Sequence, residues 1–236
     1  MKRIIFSLIA AAALCTGCLQ QSTTETKSCT DKCCEVSTAN ITTPAQAISA
    51  LKAGNARYVA GKMAFPNSDA KRRDETLNSQ KPFAVVVSCS DSRVPVELLF
   101  DQGIGDLFVI RTAGNSVADD VVMGSIDYAV DHLGTPLVVI LGHQNCGGVT
   151  STIAHCEGSE EHHHGKIGEL LAVLRQDVEQ FVGHPEQLDE AIHVNAEAQV
   201  KRIKSVDYIA EKMKKGELQI ISAYYHLDSG EVSFDE

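Results

Sequence analysis

Four side chains that can bind a metal ion or handle a proton, and an arginine that can pair with one of them, lie in two short segments of the sequence. In the first segment, Cys89, Asp91 and Arg93 alternate, so in an extended chain they share a face. In the second segment, His143 and Cys146 are separated by two residues, and a helix starting just after them would favour the thiolate form of Cys146. Two thiolates and one imidazole are zinc ligands, and three protein ligands leave a fourth position open, as in catalytic sites.

Either segment alone is a weak signal, because buried cysteines and single histidines are commonly just core residues. An Asp–Arg pair two residues beyond a cysteine has no obvious packing purpose, and buried charges without a metal would need other partners. The two segments together therefore predict a catalytic zinc site.

Apolar runs typical of buried parallel strands precede both segments. We expect strands at residues 83–87, 107–110, 137–141, 218–225 and 232–234. Helical spacing or capping signals lie between them, at residues 43–61, 117–133, 167–182 and 188–213, and we expect the last helix to be broken. Strands that alternate with helices predict an α/β fold with a mainly parallel central sheet flanked by helices. In such sheets, sites form beyond the carboxyl ends of the strands, where both segments lie.

The composition excludes several classes of protein. With 236 residues, 44% of them hydrophobic, the chain can fill a core and is not disordered throughout. A formal net charge of −10 argues against nucleic acid or an anionic membrane surface as a partner. Eight cysteines are too few for a disulfide scaffold in a chain of this length, so their positions decide what they do.

The first residues of the chain are typical of an export signal. Lys2 and Arg3 precede an apolar run at residues 4–14 that is too short to span a bilayer as a helix. The small residues before Cys18 resemble the lipobox of bacterial lipoproteins. We therefore expect a signal peptide at residues 1–17 and a lipid-modified Cys18, with an ordinary secretory signal as the alternative. Either way, the protein would be exported to the periplasm or cell envelope, with any membrane contact made through the lipid.

Two other groups of cysteine and histidine residues could be taken for metal sites. Residues 18–43 form a Ser/Thr-rich segment that we interpret as a flexible tether, and its cysteines are expected to form disulfides or to have no catalytic purpose. These cysteines are Cys29, Cys33 and Cys34. A run of three histidines near Cys156 is interpreted as part of a solvated loop, and its members are His162, His163 and His164.

The order and spacing of three motifs is similar to that of the β-class carbonic anhydrases. The motifs are Cys89-Ser90-Asp91-Ser92-Arg93, Arg111-Thr112-Ala113-Gly114-Asn115 and His143-x-x-Cys146-Gly147. The resemblance runs from about Ala47 to Gly230 and so covers essentially the whole domain that we place at residues 44–236. It implies Zn2+ held by Cys89, His143 and Cys146. It also implies a homodimer or a larger homo-oligomer with the active site at the subunit interface.

The resemblance implies the reversible hydration of CO2 to bicarbonate and a proton by a zinc-bound hydroxide. Asp91 would accept a hydrogen bond from that hydroxide, and Arg93 would hold Asp91 ionised and away from the metal. Two thiolate ligands offset the charge of the zinc ion, so we expect hydration to increase into mildly alkaline pH. In some relatives the aspartate binds zinc in a closed state, a switch that one subgroup couples to a bicarbonate pocket containing Trp. This chain has no Trp, and we expect an open site with Asp91 paired to Arg93.

Three residues resemble the substrate pocket of the plant-like subgroup. Gln80 would hydrogen-bond a substrate oxygen, while Phe108 and Tyr128 would form a narrow apolar wall for CO2. Gly114 would shape the loop that faces the site. Ordinary strand and helix packing is the alternative interpretation of these residues.

Two other functions remain open at this stage. The same zinc site could hydrolyse carbon disulfide or carbonyl sulfide, reactions found among relatives of the family. Alternatively, the protein could be a non-enzymatic, zinc-storing surface lipoprotein that uses the tether cysteines and the histidine run.

Overall fold

A computed structural model describes residue 38 and residues 40–154 and 165–235. The predicted signal peptide at residues 1–17, Cys18, almost all of the tether at residues 18–43, Cys156 and the histidine run lie outside the described residues. The proposed boundaries between signal, tether and domain therefore stay predictions. Among the described residues, no helix is both long enough and apolar enough to cross a membrane.

A five-stranded sheet forms the centre of the domain, with the strand order β2-β1-β3-β4-β5. The strands are β1 (Ala84–Cys89), β2 (Leu107–Thr112), β3 (Leu137–His143), β4 (Gln219–Tyr225) and β5 (Val232–Asp235). The first four strands run parallel, and β5 pairs antiparallel with β4 at one edge. The expected α/β fold with a mainly parallel sheet is confirmed.

Eight α-helices connect or cover the strands in the part of the chain that the structure describes. They are α1 (Pro44–Val59), α2 (Ala70–Glu75), α3 (Val96–Leu99), α4 (Asp120–Asp127), α5 (Gly147–Ala154), α6 (Ile167–Val178), α7 (Leu188–Lys204) and α8 (Asp207–Lys214). The start of α1 follows from its sequence: the Thr43 hydroxyl accepts a hydrogen bond from the Gln46 backbone amide, and the Gln46 side-chain oxygen accepts one from the Thr43 backbone amide.

Helices cover both faces of the sheet, which explains why its central strands are continuous apolar runs. Every residue of β1 and β3 is buried. One face packs against α1 and α3, through residues such as Leu51 and Leu99. The opposite face packs against α4, α7 and α8, through residues such as Ile126, Val200 and Ile209. Strand β2, at the other edge, is only partly buried.

The element boundaries differ from the expected ones in ways that tertiary packing explains. Strands β1, β2 and β3 each continue two residues further, because ladder pairing extends to Cys89–Thr112 and His143–Tyr225. The helix expected at residues 117–133 starts at Asp120 and gives way to a π-helical turn at Tyr128–His132. The break expected within residues 188–213 is confirmed, since α7 ends at Lys204 and α8 begins at Asp207. The short helices α2 and α3 were not expected.

Candidate active site

Two sulfur atoms and one imidazole form a buried cluster at the carboxyl edge of the sheet. The ligand atoms of Cys89, His143 and Cys146 all lie within 4.8 Å of one another. Their residues are 5%, 0% and 0% exposed, and the two Sγ atoms are 4.0 Å apart. The structure therefore brings together the three residues that the sequence singled out as zinc ligands.

Each member of the cluster is placed by the end of a regular element. Cys89 is the last residue of β1 and His143 is the last residue of β3, and these two strands are adjacent and parallel. Cys146 immediately precedes α5, and its carbonyl accepts the amide hydrogen of Thr150 at 2.9 Å. Asn145 turns the chain between β3 and α5 with a left-handed backbone, φ 54°.

The histidine of the cluster is oriented by the backbone beside it. His143 Nδ1 lies 2.9 Å from the carbonyl oxygen of Gln144, so Nδ1 carries the hydrogen and donates it. The other nitrogen, Nε2, is buried and has no hydrogen-bond partner among the described residues. The Gln144 side chain is itself anchored, because its Oε1 accepts the Leu227 amide at 2.9 Å. A buried acceptor nitrogen facing two sulfurs is the arrangement that a metal ligand requires.

The hydrogen bond between the two thiols shifts their pKa values in opposite directions. A hydrogen bond from Cys146 is the largest cause that lowers the pKa of Cys89 to about 4, with further help from the amides of Asp91 and Gly114. The same hydrogen bond, followed by burial, raises the pKa of Cys146, although the amides of Gly148 and Val149 act in the opposite direction. A divalent cation would compensate both thiolates, so the donor set fits Zn2+.

Asp91 lies beside the cluster but is engaged by Arg93. The Arg93 Nε and Nη2 atoms donate to the two Asp91 carboxylate oxygens at 2.9 and 2.7 Å, and the Arg93 backbone amide donates at 2.9 Å. Chiefly because of the side-chain bonds from Arg93, the pKa of Asp91 is held well below its usual range. One carboxylate oxygen of Asp91 is 3.9 Å from His143 Nε2, which places this ionised group next to the open side of the cluster.

Sequence reasoning assigned no individual role to Arg111, which holds the backbone around the site. Its guanidinium donates from Nε to the carbonyl of Cys89 at 3.1 Å and from Nη2 to the carbonyl of Asp91 at 2.6 Å. The arginine therefore fixes the two carbonyls on either side of Ser90. The only signal in the sequence was its membership of the second motif.

The expected substrate-pocket residues do not reach the cluster of their own chain. Gln80 is exposed and precedes β1, so it lies toward the opposite end of that strand from Cys89. Phe108 pairs with Val85, which is four residues from Cys89, or about 13 Å along the strand. The rings of Phe108 and Tyr128 are 6.3 Å apart, so these two side chains do form a common surface. Gly114, in contrast, lies beside Cys89.

A mainly parallel sheet flanked by helices, with a buried Cys-His-Cys cluster at its carboxyl edge, places the protein among the α/β proteins with a candidate metal site. The sequence model of the carbonic anhydrase family matches residues 84–232. The chain is 40% identical over 194 residues to a carbonic anhydrase of Mycolicibacterium smegmatis, covering 80% of this chain and 92% of that protein.

Solved structures agree with this assignment. A β-carbonic anhydrase of Aspergillus fumigatus superposes with a TM-score of 0.58 at 28% identity, covering 80% of this chain and 90% of that one. A Coccomyxa β-carbonic anhydrase in complex with acetazolamide shares the fold, with a TM-score of 0.63 at 24% identity and coverage of 79% and 85%. The chain therefore belongs to the β-class carbonic anhydrases.

The cluster should bind one Zn2+ per chain, and Cys146→Ser should abolish this binding because a buried thiolate ligand is lost. Zinc content per chain, measured by mass spectrometry of the metal after dialysis, tests this. Cys156→Ser serves as the control, since it removes a cysteine outside the described residues and should retain the zinc. Several zinc ions per chain that persist in Cys146→Ser would contradict the prediction and support the zinc-storage alternative.

Proposed function

We propose that the protein catalyses the zinc-dependent, reversible hydration of CO2 to bicarbonate and a proton at Cys89, His143 and Cys146. The observation that carries this proposal is the buried cluster with its unpartnered Nε2, in a chain that belongs to the carbonic anhydrase family. Zn2+ held there would supply a Lewis acid that lowers the pKa of a water ligand and so makes a nucleophile available near neutral pH.

Asp91 and Arg93 orient the attacking oxygen in this proposal. The ionised Asp91 carboxylate, 17% exposed and next to the cluster, accepts a hydrogen bond from that oxygen. Arg93 occupies both carboxylate oxygens in a bidentate contact, which keeps the carboxylate from taking a place among the metal ligands. The pairing favours an open site, in which the fourth position is left to water and substrate.

A second copy of the chain completes the substrate pocket in this proposal. Phe108 lies on the partly buried edge strand β2, and Tyr128 is 46% exposed, so both are available to another subunit. The distance of about 13 Å along β1 keeps them from the cluster of their own chain. Gln80, Phe108 and Tyr128 of one subunit would therefore contact CO2 bound at the metal site of its partner, Gln80 through a hydrogen bond and the two rings as an apolar wall.

We also propose that the mature protein is exported and anchored to the cell envelope by lipid on Cys18. The basic start, the short apolar run at residues 4–14 and the small residues before Cys18 support this proposal. The Ser/Thr-rich tether would then separate the anchor from the catalytic domain.

CO2 hydration by the zinc-loaded protein, followed by stopped flow, should increase between pH 6 and 9. The reason is that two thiolates leave less positive charge to acidify a water ligand than three neutral histidines would. The lowered pKa of Asp91 keeps its carboxylate ionised throughout this range, so Asp91 cannot cause the increase. Asp91→Asn should therefore keep the shape of the pH profile while losing about tenfold or more in rate.

Asp207→Asn makes the same chemical change on the exposed first turn of α8 and should keep the full rate. A flat pH profile in the native protein, or an inflection that disappears in Asp91→Asn, would contradict the proposed roles. Faster turnover of carbon disulfide or carbonyl sulfide than of CO2 on the same preparation would favour the alternative substrates.

Mixed dimers should show that the pocket is shared between subunits. One chain carries Cys89→Ser, which removes its metal site, and the other carries Gln80→Ala with Tyr128→Ala, which removes the pocket that it offers. In a dimer purified through two different tags, the intact metal site faces the intact pocket, so about half of the native hydration rate should return. Mixed dimers as inactive as either parent would show that each chain uses its own pocket.

Lipid attachment should depend on Cys18. Metabolic labelling with a radioactive fatty acid should mark the native protein and not Cys18→Ser, because the acylated residue is lost. Cys29→Ser, which changes a tether cysteine, should label normally. Export of an unlabelled native protein would indicate an ordinary secretory signal instead.

A further inference from the structure

The turn that follows β2 lies beside Cys89, because Thr112, the residue before the turn, pairs with Cys89 in the sheet. Gly114, at the centre of the turn Ala113–Asn115, has a left-handed backbone with φ 66°. Its amide donates a hydrogen bond to the Cys89 sulfur. The position of this turn therefore determines a contact of a candidate metal ligand.

Close packing holds two other sides of the turn. A Cβ atom added to Gly114 would lie 2.8 Å from the Leu174 side chain of α6. A Cβ atom added to Gly148, two residues after Cys146, would lie 3.5 Å from the Gly114 nitrogen. The turn is thus confined between α6 and the start of α5, and its remaining polar group, the Gly114 carbonyl, faces α7.

Asn195 of α7 holds that carbonyl. Its side chain is completely buried and donates from Nδ2 to the Gly114 oxygen at 2.9 Å. One turn further along α7, the buried Gln199 accepts the Val117 amide at 3.0 Å. Helix α7 therefore fixes the segment from Gly114 to Val117 at both ends with two side-chain amides.

An ion pair orients Gln199, which in turn donates from Nε2 to Asn195 Oδ1 at 3.4 Å. Gln199 donates from Nε2 to Asp177 at 2.8 Å and accepts from Arg202 Nη1 at 3.1 Å, which determines which way its amide points. Arg202 also donates to both Asp177 oxygens, at 2.7 and 2.6 Å. Neighbouring positions of α7, such as Ala196 and Val200, pack as ordinary apolar residues.

Burying amides and charges has a desolvation cost that apolar side chains would avoid, although a fully satisfied network also makes a part of the core rigid. The last hydrogen bond of this network runs from Asn195 to the Gly114 carbonyl, which belongs to the turn beside Cys89. The network therefore stabilises a backbone position at the metal site.

We propose that Asn195 is a positioning residue for the zinc site. Held by Gln199 and the Asp177–Arg202 pair, it fixes the Gly114 turn so that the Gly114 amide hydrogen-bonds the Cys89 sulfur. Outer groups of this kind orient metal ligands and tune the charge they donate. The proposal rests on the proposed zinc function of Cys89, His143 and Cys146, and adds a residue from a helix that supplies no ligand.

The test compares Asn195→Asp with Asn55→Asp. Asn55 is also a buried asparagine, 5% exposed, and it donates from Nδ2 to the carbonyls of Leu99 and Gly230, at 3.1 and 2.9 Å, away from the cluster. Both variants lose an amide donor to a carbonyl, so both should melt at a lower temperature. Asp177→Asn, which weakens the far end of the network, is a second variant in case Asn195→Asp does not fold.

Two measurements separate positioning from general destabilisation. In competition with a chelator, Asn195→Asp should bind Zn2+ about tenfold more weakly than the native protein, and Asp177→Asn should shift in the same direction by less. With Co2+ in the site, the thiolate-to-metal charge-transfer band of Asn195→Asp should move to lower energy, because a thiolate without its N–H donor is more easily oxidised. Asn55→Asp should leave both the affinity and the band unchanged.

Native-like affinity and band position in Asn195→Asp would overturn the proposal, as would equal changes in Asn195→Asp and Asn55→Asp. If the native protein binds one zinc that depends on Cys146 and only this comparison fails, the proposed function stands and the role of Asn195 does not. If the native protein binds no such zinc, both fail.

Discussion

The pairing of β1 with β3 is the constraint on which the site depends. The strands are parallel neighbours in a register that aligns Ser88 with Leu141, so both ligand-bearing ends arrive at the same edge. A slip of one residue would turn Cys89 to the other face of the sheet and separate the cluster. Gly142, before His143, lets α7 approach this edge, since a Cβ atom there would lie 3.1 Å from the Ile192 side chain.

The cluster combines groups that are costly to bury separately, which explains how the surrounding residues are arranged. Two sulfurs in a buried position cannot both ionise without a compensating cation, whereas His143 keeps a buried nitrogen free. The carboxylate of Asp91 could compete for such a cation, but Arg93 satisfies both of its oxygens. At this edge of the sheet, the sulfurs of Cys89 and Cys146 are thus buried, while the Asp91 carboxylate is neutralised by Arg93.

The strands and the cluster could be predicted because their signals are local. Fully buried strands appear as apolar runs, and Cys89 and His143 each lie two residues after such a run. The roles of Arg111 and Asn195 had no comparable signal, because each acts on a backbone atom 20 or more residues away. Likewise, the helical period of residues 117–133 gave no indication of the π-helical turn that carries Tyr128, in which Ala129 and Val130 pack into the core.

Sequence spacing alone does not show which end of the strands is occupied by Gln80, Phe108 and Tyr128. The register of β1 with β2 shows it for Phe108, which pairs with Val85. The three candidate ligands lie in one chain at one edge of the sheet, whereas Gln80 and Phe108 lie toward the other end of β1. Under the proposed function, metal affinity is therefore a property of the folded chain, and turnover is a property of the pair of chains. The two depend on different equilibria. Metal affinity depends on the rigidity of the edge formed by β1 and β3 and on its support from α7, and turnover depends on the association of subunits across the partly buried β2 edge.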